Sequence, residues 1–254
     1  MEKDIQQQLA FLEESKNIKI LLAVESGSRA WGFPSPDSDY DVRIIYLASP
    51  EWYLSIDDHK DTIEYFHGDL LDISGWDLRK SLRLLRKSNA TPMEWAQSPI
   101  VYQQANDFCN EILDLAALCF NPAHTFHHYV GIAQSTFQGL NFHAPIKLKK
   151  LFYVIRPLLA AKWIDQHQQI PPMDISKLFA VLEGNPITEF IKQLIELKQT
   201  VDESYQHQFA PDLPDYLKME LDSLKSVDHF QKIPLQTTGA LNDFFRSMLA
   251  KYFP

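Results

Sequence analysis

Residues 18–24 form a short and almost continuous apolar run, IKILLAV, which constrains the fold of this chain more than any other feature. Such a run predicts a strand inside a sheet, because both faces of the strand must be buried. A second strand, rich in β-branched and aromatic residues, is predicted at 41–47. Weaker strand patterns follow at 62–66 and 70–74. The first part of the chain therefore predicts a small β-sheet.

Helical periodicity flanks these strands and then takes over. An opening helix is predicted over 4–16 and a basic helix over 75–88. Further helices are predicted at 105–118, 122–140, 145–167, 174–182, 186–204, 212–225 and 238–252. This order predicts an α+β protein, with a small mixed β-sheet head and flanking helices over 1–104 and an all-helical C-terminal domain over 105–254.

The composition indicates a globular protein with a buried core. Of the 254 residues, 45% are hydrophobic and 22% are charged, which excludes a disordered chain and a disulfide scaffold. Cys109 and Cys119 have no metal-binding spacing and are expected to be buried thiols in a reducing compartment. No apolar run approaches the ~20 residues that cross a bilayer. We therefore expect a cytoplasmic protein without a membrane partner.

The net charge of the chain is −9, from 24 basic and 33 acidic residues. An acidic surface excludes a protein that coats nucleic acid nonspecifically, because such binding requires a broad positive field. A local phosphate site remains compatible with this charge, so the positions of the basic residues matter more than their number.

An acidic motif follows the first strand. Gly27-Ser28 is separated by ten residues from Asp39-Tyr40-Asp41, which leads into the second strand. Because side chains alternate along a strand, Asp39 and Asp41 point to the same side and repel each other. A divalent cation such as Mg²⁺ or Mn²⁺ would relieve this repulsion. Gly27 permits a close backbone approach, and Ser28 offers a hydroxyl and an N–H group to a phosphate oxygen.

Each part of this motif also has an ordinary structural interpretation. Gly-Ser pairs are common in turns, and Asp-x-Asp sequences are common on solvated strand edges. A calcium loop beginning at Asp37 is excluded, because Val42 stands where the loop requires glycine and Ala48 stands where it requires glutamate.

Taken together, the strand, the Gly-Ser turn, the Asp-x-Asp pair and the following strand resemble the DNA polymerase β-type nucleotidyltransferase superfamily. Three longer segments look like bacterial predicted nucleotidyltransferases of RNA-repair gene clusters, the RlaP-like family; they read ESGSRAWGFPSPDSDYDVRIIYL, DISGWDLRKSLRLLRKSN and MEWAQSPIVY. The resemblance covers 18–104 well, extends more loosely through 147–164 and fades after about residue 185.

The resemblance implies a nucleotidyltransferase head with three carboxylates, the third on a later strand. Asp72 fits that position, with Glu64 as the alternative. It further implies that Asp39, Asp41 and Asp72 hold two Mg²⁺ or Mn²⁺ ions. The expected reaction moves an NMP from an NTP to an acceptor hydroxyl, an RNA end above all, with release of pyrophosphate. A protein-nucleotidylating enzyme and a non-catalytic nucleotide-binding regulatory partner are the alternatives.

Basic residues at four positions are candidates for nucleotide binding. Arg29 follows the Gly-Ser pair, and Arg43 shares the face of Asp41, where it would tune the carboxylates or contact phosphate. Related nucleotidyltransferases close their cleft with basic residues of a helical domain, which implies that Lys149 and Arg156 contact the β- and γ-phosphates.

A further basic stripe lies on the helix predicted at 75–88. Arg79, Arg83 and Arg86 share one of its faces at positions i, i+4 and i+7. The stripe is either the solvated face of an amphipathic helix or a surface that reaches the triphosphate or the backbone of an acceptor.

Overall fold

The computed structural model describes residues 1–230 and 238–254. These residues group into two compact units. The first unit contains 1–30, 39–120 and 238–254, and the second contains 31–38 and 121–230. The predicted division at 104/105 differs from this grouping, because the chain up to Phe120 and the last described helix belong to the same unit as the sheet. No helix in the described ranges is long and apolar enough to cross a membrane.

The first unit is built on a five-stranded mixed sheet, which confirms the predicted α+β class. Its strands are β1 (Ile18–Glu25), β2 (Tyr40–Ala48), β3 (Thr62–His67), β4 (Leu71–Asp77) and β5 (Val101–Gln104). Their order is β3-β4-β2-β1-β5; β2 and β4 are parallel, and the other neighbours are antiparallel. The predicted apolar run is β1, whose residues from Ile20 to Glu25 are all buried.

Helices surround this sheet. They are α1 (Glu2–Lys16), α2 (Gly27–Trp31, whose last residue belongs to the second unit), α3 (Pro50–Leu54), α4 (Leu78–Arg86), α5 (Ala90–Trp95), α6 (Phe108–Cys119) and α12 (Thr238–Tyr252). Helix α1 buries Ile5, Leu9 and Leu12 in the core that lies against β1, β2 and β4. The short elements α2, α3, α5 and β5 lay outside the predictions, because each is too short to show a periodic pattern.

Several predicted boundaries shift by a few residues, and the shift at the basic helix has a clear cause. The helix expected over 75–88 begins at Leu78, because Gly75, Trp76 and Asp77 extend β4. A Cβ atom on Gly75 would lie 2.1 Å from the carbonyl oxygen of Ile44, so only glycine allows β2 and β4 to pair closely there. Asp77 then caps α4, and its carboxylate accepts from the backbone N–H groups of Arg79 and Lys80.

The second unit is mainly helical. Its elements are α7 (Pro122–Gln138), β6 (Ile146–Lys147), α8 (Leu148–His167), α9 (Ile175–Leu178), a 3-10 turn (Phe179–Leu182), α10 (Ile187–Thr200), β7 (Gln206–His207) and α11 (Asp212–Lys225). The prediction of an all-helical domain was therefore wrong in one detail, since β6 and β7 form a two-residue antiparallel pair. Helix α8 is the core of the unit, with Leu151, Phe152 and Ile155 almost fully buried.

The segment 31–38, which precedes the acidic motif, packs within this second unit. Lys198 of α10 is 1% exposed and donates from Nζ to Ser35 Oγ at 2.9 Å. Ser38 donates to Glu203, and the backbone N–H of Glu203 donates to the carboxylate of Asp37. These contacts join a polar loop to a helical core.

Candidate functional site

Gly27 and Asp41 lie directly against each other in the first unit. The backbone N–H of Ser26 donates to the carbonyl oxygen of Asp41 at 2.8 Å, which ties the end of β1 to the start of β2. Gly27 has a φ of +61°, and a Cβ atom at this position would lie 2.3 Å from Asp41 Oδ2. The glycine therefore makes room for the Asp41 carboxylate, in a backbone conformation that other residues adopt with strain.

Asp41 and Asp72 occupy paired positions on the parallel strands β2 and β4. Arg43 Nη2 lies 2.9 Å from Asp41 Oδ1 and 2.9 Å from Asp72 Oδ2, so one guanidinium bridges the two carboxylates. Its Nη1 donates to the carbonyl oxygens of Val42 and Asp72. The structure thus brings together the predicted residues Asp41, Arg43 and Asp72, with Arg43 beside both acids.

The oxygens of this cluster are suitable ligands for a divalent cation. Asp72 Oδ1 is buried and has no hydrogen-bond partner in the described part of the chain, and a buried carboxylate oxygen normally has one. Carboxylate oxygens are the ligands that Mg²⁺ and Mn²⁺ prefer. Within the described residues, however, no group of three or more His, Cys, Asp or Glu side chains is arranged to hold a metal ion. Asp41 and Asp72 therefore form a pair of carboxylates.

Asp39 and Arg29 contact each other at the start of β2. The exposed Asp39 precedes β2, and its carbonyl oxygen accepts from Arg29 Nε at 3.0 Å. The Arg29 guanidinium stacks on the ring of Tyr40 at 3.9 Å, so Arg29 is held beside the Asp-x-Asp motif. Ser28, in the first turn of α2, is half-buried. The predicted roles of Asp39, Ser28 and Arg29 stay predictions.

Glu25 is a buried carboxyl group that the sequence analysis missed. Its Oε1 accepts from the backbone N–H of Asp41 at 2.8 Å, and the Tyr102 hydroxyl donates to its Oε2. Glu25 is fully buried, and burial raises the pKa of its carboxyl above the ordinary value of 4.5. The sequence signal that would have identified it is a charged residue at the end of an apolar strand, directly before Ser26-Gly27.

Glu64, the alternative third carboxylate, lies on the edge strand β3. It is paired with Ser74 of β4, its side chain is 62% exposed, and its carboxylate lies 3.6 Å from Lys60 Nζ. Asp72 is the residue that faces Asp41, and this geometry favours Asp72 over Glu64 as the partner acid.

Lys149 and Arg156 lie on α8 in the second unit. Lys149 Nζ is 2.7 Å from Glu203 Oε2. Arg156 is 3% exposed; its guanidinium donates to the carbonyl oxygen of Met173 and stacks over the ring of Trp31 at 4.6 Å. Both side chains thus have protein partners, and their contact with a nucleotide stays a prediction.

A comparison with known families completes the description of this site. The sequence model of the RNA repair pathway DNA polymerase beta family, RlaP, matches residues 1–247. The chain belongs to the RlaP family. The match includes both compact units and reaches well beyond residue 185, where the resemblance was expected to fade.

Individual relatives of this RlaP family member add little about function. The uncharacterised protein YcgL of Bacillus subtilis (strain 168) is 45% identical over 204 residues, which cover 80% of this chain and 78% of YcgL. A crystal structure of a nucleotidyltransferase-like protein from Exiguobacterium sibiricum 255-15 is 12% identical, with a TM-score of 0.30 over 98% of this chain and 90% of that chain. A likeness this low carries no conclusion, so the assignment to the RlaP family rests on the sequence.

Proposed function

We propose that this protein is a metal-dependent nucleotidyltransferase that moves an NMP from an NTP to the hydroxyl of an RNA end. In this reaction the acceptor oxygen bonds to the α-phosphorus, the bond from the α-phosphorus to the β-phosphate oxygen breaks, and pyrophosphate leaves. The proton of the acceptor hydroxyl is released to solvent in the same step. The observation that carries the proposal is the pairing of Asp41 with Asp72 beside Gly27, in a chain of the RlaP family.

The protein's own residues supply position and charge in this proposal. Asp39, Asp41 and Asp72, the third carboxylate, would bind Mg²⁺ or Mn²⁺. A bound divalent ion neutralises phosphate charge and lowers the pKa of the attacking hydroxyl. Glu25 Oε1 accepts from the backbone N–H of Asp41 at 2.8 Å and thereby helps to orient the Asp41 side chain. Little covalent chemistry falls to side chains in phosphoryl transfer, because positioning and charge neutralisation lower the barrier.

Basic and small residues bind the nucleotide in the same proposal. Gly27 and Ser28 approach the phosphates, and Arg29, held against Tyr40, lies near enough to the motif to contact them. The contact of Lys149 and Arg156 with the β- and γ-phosphates is carried over from the family resemblance alone; within the second unit Lys149 Nζ lies 2.7 Å from Glu203 Oε2.

The proposal is tested with NTPs labelled at the α-phosphate, incubated with Mg²⁺ or Mn²⁺ and with RNA, DNA or a pool of lysate proteins. We expect label to move to RNA in the wild type and to be lost in Asp41→Ala and Asp39→Ala. Glu64→Gln is the matched control, since it removes an exposed carboxylate of the same sheet.

The outcomes separate the alternatives. Transfer of label to protein but not RNA would identify a protein-nucleotidylating enzyme. Binding of NTP without transfer to any acceptor would identify a regulatory partner. Equal transfer by the wild type and both aspartate variants would contradict the metal-site assignment. The absence of NTP binding by the wild type would contradict the enzyme proposal.

A further inference from the structure

A groove of about 460 Å³ lies between α4 and α12 of the first unit. Helix α4 contributes the basic stripe predicted from the sequence, and α12 contributes apolar side chains and one more base. The lining residues that matter here are Arg79, Arg83, Arg86, Leu241, Phe245 and Arg246. The arginine stripe therefore faces a concave surface.

The positive charge of this groove is largely uncompensated. In the ranges 1–230 and 238–254, the guanidinium groups of Arg79, Arg83 and Arg86 form no ion pair with a carboxylate. Lys80 on the same helix does form one, with Asp61 at 2.9 Å. Arg246 pairs with Asp243 at 3.3 Å, but both side chains are more than two-thirds exposed, so solvent screens that pair.

Aromatic rings hold one side of the groove in place. The Arg79 guanidinium lies over the rings of Tyr53 and Trp52, at 5.0 and 5.6 Å. The Tyr53 ring in turn meets the Phe245 ring edge-on, with 5.0 Å between centroids. Cation–π contacts thus orient the Arg79 guanidinium, and the buried Asp77 carboxylate, which caps α4, attracts it electrostatically.

We propose that this groove binds the phosphate backbone of a single-stranded RNA, the acceptor strand of the transfer reaction; the inference rests on the proposed function for that role. Along the helix axis Arg79, Arg83 and Arg86 are about 6 Å and about 4.5 Å apart, so successive phosphates of one strand can be contacted from one face. Arginine is well suited to this task because its planar group binds phosphate with two parallel hydrogen bonds.

The groove fits an RNA better than an acidic peptide. Leu241 and Phe245 provide an apolar floor beside the arginines, and bases and riboses of a single strand need such a surface, whereas a run of carboxylates does not. Arg79 lies two residues after Asp77, which ends β4, whereas Asp72 lies near the beginning of that strand. These two strand ends are about 16 Å apart, which places Arg79 beside the body of an acceptor rather than beside the reacting phosphate.

The test measures the binding of a fluorescently labelled single-stranded RNA by anisotropy, without NTP, from 50 to 300 mM salt. The variant is Arg83→Gln/Arg86→Gln, and the matched control is Lys3→Gln/Lys192→Gln, two exposed lysines whose loss changes the net charge equally. We expect the groove variant to bind roughly tenfold more weakly or worse, and its slope of log affinity against log salt to fall by about 1.4. The control should bind as the wild type does. Thermal unfolding verifies that each variant is folded.

Two outcomes would overturn the proposal that this groove binds RNA. One is an unchanged affinity and salt slope in the groove variant. The other is wild-type binding of polyglutamate as tight as that of RNA at equal salt, which would indicate an acidic protein as the occupant. Failure of the proposed function gives a different result. If the protein binds RNA through the groove but transfers no NMP, the groove proposal stands and the nucleotidyltransferase proposal is wrong. If NMP is transferred to RNA and the groove variant changes neither RNA binding nor transfer, the nucleotidyltransferase proposal stands and the groove proposal is wrong.

Discussion

Asp41 and Asp72 are paired across the parallel strands β2 and β4, and one guanidinium nitrogen of Arg43 lies 2.9 Å from a carboxylate oxygen of each. The arginine neutralises two acids that would otherwise repel each other in a partly buried position. The same carboxylates are those that a divalent ion would use. Arg43 therefore stabilises the cluster without metal, and in the proposed metal-bound state it would share the ligand oxygens with the cation.

Arg43→Gln tests this relationship. Without metal, we expect the free energy of unfolding to fall by about 1–3 kcal/mol, because two carboxylates lose their shared donor. Addition of Mn²⁺ should raise the Tm of the variant more than that of the wild type, since no arginine competes for the oxygens. Thermal unfolding with and without Mn²⁺ measures both effects. Equal Mn²⁺ stabilisation of the two proteins would show that Arg43 and the cation do not share ligands.

Asp72→Asn tests the assignment of the second acid. The substitution keeps the size of the side chain and removes its charge, so we expect NMP transfer to fall by roughly 100-fold or more. Glu64→Gln, on the neighbouring edge strand, should leave the rate close to that of the wild type. Steady-state transfer from α-labelled NTP measures both. If Glu64→Gln is the more damaging change, Glu64 rather than Asp72 is the partner of Asp41.

Gly27→Ala tests the close approach to Asp41. The added Cβ would lie 2.3 Å from Asp41 Oδ2, so the carboxylate must move. We expect NMP transfer to fall strongly and stability to fall by about 1–2 kcal/mol from the positive φ. Gly68→Ala is a matched control, because Gly68 has a φ of +62° but no atom within 4 Å of its Cβ position. The control should lose similar stability and keep its activity; a comparable loss of activity in both would attribute the effect to strain alone.

Tyr102→Phe tests the buried carboxyl of Glu25. Burial raises the pKa of Glu25, and the Tyr102 hydrogen bond opposes that rise. The folded protein holds this proton to higher pH than the unfolded chain. The contribution of Glu25 to the unfolding free energy is therefore lost as pH rises through the folded pKa. Without the hydroxyl the pKa rises further and ionisation costs more. We expect Tyr102→Phe to be more destabilising at pH 8 than at pH 5 in urea unfolding, and the reverse order would contradict this coupling.

Lys198→Met tests the buried lysine beneath the segment 31–38. Burial lowers the pKa of Lys198 below its ordinary value of 10.5; Lys149 adds to this effect, and Glu203 and Asp37 oppose it. The folded protein releases this proton at lower pH than the unfolded chain, so the wild type gains stability as pH rises through the folded pKa toward 10.5.

Unfolding free energies measured at pH 7 and pH 10 test the direction of this pH dependence. We expect the unfolding free energy of the wild type to rise relative to that of Lys198→Met over this range. Lys192→Met, an exposed position on the same helix, should show no such difference from the wild type. A constant gap between the wild type and Lys198→Met would show that the buried amine does not titrate differently on folding.

Local patterns in the sequence determined most of the elements. Helices α11 and α12 have the bounds that were predicted, because their apolar residues repeat with helical spacing between clear breaks. Asp72 was identified as the partner of the Asp-x-Asp motif through a family resemblance, and the parallel register of β2 and β4 places it opposite Asp41. The two-residue strands β6 and β7 were missed, because a pair this short has no pattern of its own.

The amino-acid sequence by itself determined the strands β1 to β4, the acidic motif and the basic stripe of α4, since each depends on residues close together in the chain. Only the tertiary structure decided which groups meet: Arg43 between two acids, Glu25 beneath Asp41, and the arginines of α4 across from α12. These contacts join residues far apart in the chain, and they depend on strand register, burial and helix packing, which no local pattern encodes.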